Sequence, residues 1–356
     1  MAGSLDGVNA DLARQQHQVT GAGVTVAVID SGCRPTHSAF SPGRVSKNGR
    51  NFSGGNSNDT TDTLGHGTAV AGIIAGNISF IAPSIAPRAS ILPLKVISED
   101  TANQLSSIRD ALDWLLNDGK SEGASVVCLS IGDKGNYQEE DDVAASENAG
   151  VKAEIAARIR SLRALNVPTI VAAGNLFRCD ESKPGMAFPA ILPGCLSVGA
   201  LFKDSSVSKF SFGPDYCDAE VVASAKNRVA PFSQRLPRGD SPHYTRLFAP
   251  GVAIVSLGNA GDGAQTKPSH GTSLAAPFVA GVIALMQEHY KKRHNGDLPS
   301  CDALEQWLLQ GGERIVDDAG VDDNVTNTGA TFKALDALGA LNAMEKDIPT
   351  ALWHLA

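Results

Sequence analysis

The run Val24-Thr25-Val26-Ala27-Val28-Ile29 constrains this chain more than any other stretch. It leaves no polar face, so the strand it forms must be covered on both sides, as in a parallel sheet enclosed by helices. The run ends at Asp30-Ser31-Gly32. A carboxylate there belongs to the carboxyl edge of the sheet, where open α/β sheets hold their ligands. Gly21 and Gly23 precede the strand. A dinucleotide phosphate loop must follow one, so that function is excluded.

Residues 90–96, 125–131, 168–173, 196–200 and 252–257 repeat the strand signal. Helical patterns at 69–76, 103–117 and 145–165 alternate with them, and the apolar run 278–286 continues from a serine turn. The expected fold is therefore α/β, a three-layer doubly wound arrangement with a mainly parallel sheet and helices on both faces. Residues 1–20 read as a segment packed on the main domain, which spans 21–310 with an irregular insertion at about 214–246. Residues 311–356 read as a loop and helix extension, and 35–63 as surface loop.

At 356 residues with 42% hydrophobic and 19% charged side chains, the composition is that of a large globular core. The net charge of −8 argues against nucleic acid or an anionic membrane as partner. The basic run Lys291-Lys292-Arg293-His294 falls where a helix should end, which dipole compensation explains. No apolar stretch approaches the roughly 18 residues of a membrane span. A monomer is expected. Residues 1–20 carry no basic-then-apolar signal, so the chain as written is expected in the cytoplasm, or outside the cell if it is a trimmed mature form. The six cysteines show no metal-ligand spacing. Cys33 and Cys128 read as buried thiols. Cys179, Cys195 and Cys217 fall in or near loops that could meet, and the sequence leaves any pairing among them open.

Ser273 lies in Gly271-Thr272-Ser273 at the opening of an apolar helix, where unpaired amides and the helix dipole favour a developing anion. His66 stands between Gly65 and Gly67 at another helix start, with its ring left accessible. Asn175 follows a strand and Gly174 at the same sheet edge. Together with Asp30 these form a nucleophilic acyl-transfer set. Asp30 would orient His66, His66 would take the Ser273 proton, and the Asn175 amide with the Ser273 backbone N–H would hold the oxyanion.

Four motifs carry a family resemblance. They are Val26-Ala27-Val28-Ile29-Asp30-Ser31-Gly32, Gly65-His66-Gly67-Thr68-Ala69-Val70-Ala71-Gly72, Ala172-Ala173-Gly174-Asn175, and Gly271-Thr272-Ser273-Leu274-Ala275-Ala276-Pro277. In that order they resemble the aspartate, histidine, oxyanion-asparagine and serine motifs of the subtilisin-like serine proteases. The resemblance implies a subtilisin-like fold and a serine endopeptidase acting on peptides or proteins, with the chemistry needing no cofactor. It further implies that Leu129, Ser130, Ile131 and Gly132 form an edge strand that pairs with substrate. Ala172, Ala173 and Gly174 would floor a pocket roomy enough for a large apolar side chain. A strong calcium site common in the family is expected to be absent, because Ala39 replaces a frequent aspartate ligand and loop 76–84 lacks a carboxylate. Loops 56–62 and 317–324 are the remaining calcium candidates.

Overall fold

A computed structural model describes residues 6–78, 82–99, 104–203, 210–221, 227–261, 263–318 and 323–347. The chain opens with α1 (Ala10–His17), β1 (Thr25–Asp30), β2 (Arg50–Asn51) and α2 (His66–Ala75). A small hairpin of β3 (Asn77–Ile78) and β4 (Ala82–Pro83) precedes β5 (Ser90–Lys95), α3 (Gln104–Leu116) and β6 (Ala124–Leu129). Then come α4 (Glu140–Ala144), α5 (Ala149–Ala164), β7 (Thr169–Ala172) and β8 (Cys195–Phe202). The irregular stretch holds β9 (Phe210–Ser211), β10 (Glu220–Val221) and β11 (Arg228–Val229) before β12 (Leu247–Pro250). The chain continues through α6 (Thr272–Arg293), α7 (Cys301–Gly311), β13 (Glu313–Val316), β14 (Thr331–Ala334) and α8 (Ala337–Asp347).

The main sheet runs β13-β14-β12-β8-β7-β6-β1-β5-β2 and is parallel except for the β13–β14 pair and β11, which joins β8 antiparallel. The two-faced burial expected of β1 is what packs it. Val26 and Val28 enter one apolar cluster with α2 and α6, while Ala27 and Ile29 enter the other with α3 and α5. α6 is buried from Leu274 to His289, so it is a core helix and shows no amphipathic pattern. α1 packs on α6 and α8. The amides of Thr20, Gly21 and Ala22 all donate to Glu288 Oε2 of α6, which fixes the entry into β1.

Four readings of the sequence need correction. The strand expected at 252–257 is instead β12, and 252–257 makes only isolated bridges, because Ala253 takes a left-handed φ of 55° that ends the extended run. The helix expected at 145–165 is α5, which starts four residues late because Asn148 turns left-handed at φ 60°, and a separate short helix, α4, precedes it. The acidic run at its start serves locally, since Glu139 and Asp142 close a reciprocal capping box on α4. Among the described residues of 311–347 the expected loop and helix also supply two strands: β14 pairs with β12, β13 pairs with β14, and α8 packs on α7. β13 exposes most of its side chains, so its composition reads as loop. The irregular insertion is entered by residue 210 and is pinned by a Cys179–Cys217 disulfide, leaving Cys195 a buried thiol.

Candidate active site

β1, α2, β7 and α6 deliver Asp30, His66, Asn175 and Ser273 to one place at the carboxyl edge of the sheet. Asp30 is fully buried, and its Oδ1 accepts the Ser31 amide at 2.7 Å and lies 2.8 Å from His66 Nδ1. Because that oxygen can only accept, Nδ1 carries the ring proton and Nε2 presents its lone pair. Ser273 Oγ lies 3.0 Å from that Nε2 and donates to it. This close approach of α2 to β1 depends on Gly67, where a Cβ would stand 2.1 Å from the Gly32 carbonyl oxygen.

Ser273 occupies the first turn of α6, whose N-cap Gly271 has φ 147° and ψ 151°. A Cβ there would be strained and would lie 3.0 Å from Ser273 Oγ and 3.5 Å from Asn175 Nδ2. Thr272 fixes the neighbouring amide, since its N–H and its hydroxyl both donate to Asn175 Oδ1 at 2.9 Å. With Oδ1 so engaged, the Nδ2 donor is turned toward the serine side. The Gly174 amide in turn donates to Thr272 Oγ1 at 3.1 Å. Sequence reading takes Thr272 only as part of a helix-opening motif, although a hydroxyl flanking Ser273 is the signal that could have raised it.

Two opposing effects act on His66. Burial pushes its pKa down, but the charge and hydrogen bond of Asp30, with Asp62 behind, outweigh this and hold it above the ordinary histidine value. The ring still keeps 38% of its side-chain exposure, so substrate and water can reach it. Asp62, read from sequence as surface loop, is 5% exposed. Its oxygens accept from Ser31 Oγ, the Leu64, Gly65 and Thr68 amides, and Thr68 Oγ1 at 2.7 to 3.0 Å. It thus caps α2, whose own N-cap Gly65 has no side chain to do so.

A cleft of about 250 Å³ opens beside Ser273 and Asn175. Ser130 and Gly132 form one wall, and Ala172, Gly174 and Ala187 the floor. Three of the residues expected here turn elsewhere. Leu129 is fully buried and paired on both sides, with Ile29 and Val171, so it has no free edge to offer a substrate. Ala173 is also fully buried and belongs to the apolar cluster under α3 and α5. Ile131, 7% exposed, packs into that same cluster.

The opposite wall, Asp215 and Tyr216, comes from the insertion. Tyr216 Oη donates to the His270 carbonyl at 2.7 Å, and the His270 ring packs among Phe210 and Phe212, where burial pushes its pKa down to about 4. No sequence pattern links these residues to the serine turn. Asp133, also in the cleft, is neutralised by Lys152 at 2.7 Å and takes the Phe188 amide and Tyr137 Oη, so it presents no free charge. A larger groove of about 780 Å³ beside α7, lined by Arg163, Arg238 and Arg246, brings no such set together.

The loops read as calcium candidates have their carboxylates engaged by protein donors: Asp62 as above, Asp59 by the Thr61 amide, Asp317 by Arg235 and Thr328, and Asp323 by Arg228. Residues 319–322 of the second loop, and 79–81 of loop 76–84, lie outside the described residues.

The profile of the subtilase family matches residues 21–322. A cuticle-degrading serine protease of Arthrobotrys oligospora is 30% identical over 266 residues, covering 74% of this chain and 51% of that protein. Serine protease AprX of Bacillus subtilis is 27% identical over 338 residues, 90% of this chain and 67% of that protein. The chain thus spans about half to two thirds of the length of these relatives. Among solved structures, a cold-adapted subtilisin-like serine proteinase aligns with a TM-score of 0.58 and 27% identity, covering 90% of each chain.

Proposed function

The chain belongs to the subtilase family, and we propose that it is a serine endopeptidase working through Asp30, His66 and Ser273. The observation that carries this is the continuous line of hydrogen bonds, 2.8 Å from Asp30 to His66 and 3.0 Å from His66 to Ser273, facing an open cleft beside the Asn175 amide. Ser273 Oγ adds to the substrate carbonyl carbon as its proton passes to His66 Nε2. The oxyanion is met by Asn175 Nδ2 and the Ser273 N–H, whose helix-terminal dipole favours negative charge. His66 then gives its proton to the departing amine, leaving an acyl-enzyme. Water, deprotonated by the same imidazole, cleaves the ester and restores Ser273. Asp30 stays ionised throughout and stabilises the imidazolium.

An extended peptide fits along the backbone of Ser130 and Gly132, with one side chain over Ala172, Gly174 and Ala187. Those small residues favour an apolar group there.

Labelling with a fluorophosphonate probe tests the reading. The wild type should label, while folded Ser273→Ala and His66→Ala should not. Asn175→Ala should fold yet lose about 10²–10³ in kcat, the size found when subtilisin loses its oxyanion asparagine. A folded wild type that stays unlabelled would remove the peptidase reading.

A further inference from the structure

Away from the cleft, three helices bring His17 of α1, His289 of α6 and Glu345 of α8 together. One ligand atom from each lies within 4.8 Å of the others. His17 Nδ1 and His289 Nε2 each stand 3.2 Å from the same oxygen, Glu345 Oε1. The two rings meet edge to face, with centroids 5.2 Å apart.

Proton placement makes the cluster unusual. Asn342 Oδ1 accepts from Gln16 Nε2, and His17 Nε2 lies 3.0 Å from that same oxygen, so it is the protonated nitrogen of His17. In a neutral ring Nδ1 is then a lone pair facing a carboxylate oxygen, and such a pair needs a cation between its members. His289 is fully buried, and its Nε2 makes no hydrogen bond although the Glu345 oxygen is near. That oxygen is off the N–H axis, as an adjacent ligand on a metal would be. With metal–ligand bonds of about 2.0–2.2 Å, neighbouring ligands of a tetrahedron sit about 3.3–3.6 Å apart, close to the 3.2 Å of the two nitrogen–oxygen edges, while the nitrogen–nitrogen edge lies within 4.8 Å.

We propose that His17, His289 and Glu345 form a structural site for a tetrahedral divalent cation of the zinc class, with water in the fourth position. Two imidazoles and one carboxylate suit that ion. Asn342 supplies the outer hydrogen bond that fixes the ligating tautomer of His17. Burial, followed by the charge of Arg293, pushes His289 down to about 4, so its ring is neutral and able to ligate at neutral pH. Arg293 is the competitor. Its guanidinium donates to His289 Nδ1 at 3.0 Å and approaches Glu345 Oε1 at 3.6 Å, and metal on Nε2 would move the ring proton to Nδ1 and displace that contact. The ion would staple the first and last helices to α6 about 24 Å from Ser273 along its axis.

The test is titration of the chelator-stripped full chain with Zn²⁺ and with Co²⁺, followed by metal analysis, visible absorption and thermal melting. One metal per chain, the intense bands of tetrahedral cobalt and a raised Tm are expected. The signal should persist in His66→Ala, which separates this site from the cleft histidine. His17→Gln, and Glu345→Gln at a partly exposed helix position, should each weaken binding by at least about 100-fold, beyond the effect of losing an outer-shell partner. Arg293→Met should tighten it. Failure of the wild type to bind stoichiometrically, or equal binding by His17→Gln and Glu345→Gln, would overturn the proposal and leave a proton as the cation of the cluster.

Discussion

His66 is set by two carboxylates, of which only Asp30 touches it. The proposed mechanism needs the neutral imidazole, so kcat/KM should rise with pH through the His66 pKa, and that pKa lies above the ordinary value. Asp62 contributes to the elevation through space. Asp62→Asn should therefore move the acid limb of the pH–rate profile to lower pH, at a cost of about 1–3 kcal/mol in stability from the amide donors it caps. An unmoved limb in folded enzyme would mean that its charge is not felt at the base. Asp30, His66, Asn175 and Ser273 were legible because each is a chemically special residue among small ones. Asp62 was not, since it lies in a polar stretch where one aspartate looks like the next. Only its spacing before a helix start hinted at a cap.

Elements were legible where burial is two-sided. β1, β5, β6 and β7 read directly, because a strand covered on both faces has no polar residue to blur its pattern. The wall of the cleft was not, because it is built by tertiary bonds. The disulfide ties Cys179, in the loop after Asn175, to Cys217, beside the Tyr216 that bonds the His270 carbonyl. Cys217→Ser, or reduction, should loosen this wall and raise KM for peptides several-fold, while labelling of Ser273 by a small fluorophosphonate persists. The bridge spans 38 residues, so by loop entropy its loss should cost up to about 4 kcal/mol. An unchanged KM after reduction would show that the insertion does not contact substrate.

At the scale of the molecule, the segment that follows β13 is tied behind the cleft by a buried ion pair. Arg235 is fully buried, with Nε 3.0 Å from Asp317 Oδ2 and NH2 3.1 Å from Asp317 Oδ1. Its guanidinium also stacks on Phe177 at 3.4 Å and bonds Asn327 at 2.8 Å. The preceding residue, Gln234, donates its backbone amide to the Gly174 carbonyl at 2.9 Å, behind the cleft floor. Asp317 belongs to the segment joining β13 to β14, so the sheet's far edge and the floor of the cleft share one support. Removing one partner of a buried pair strands the other's charge without solvent, which costs about 3–5 kcal/mol, whereas replacing both with apolar residues can be neutral. Asp317→Ala should therefore lower Tm sharply and reduce kcat/KM, although no atom of Asp317 lines the cleft. The double replacement Arg235→Met with Asp317→Leu should recover most of the stability. If Asp317→Ala melts like the wild type, the C-terminal strands are decoration on a sheet that stands without them. If it melts early and the double variant recovers, the site depends on residues beyond 311 for its floor.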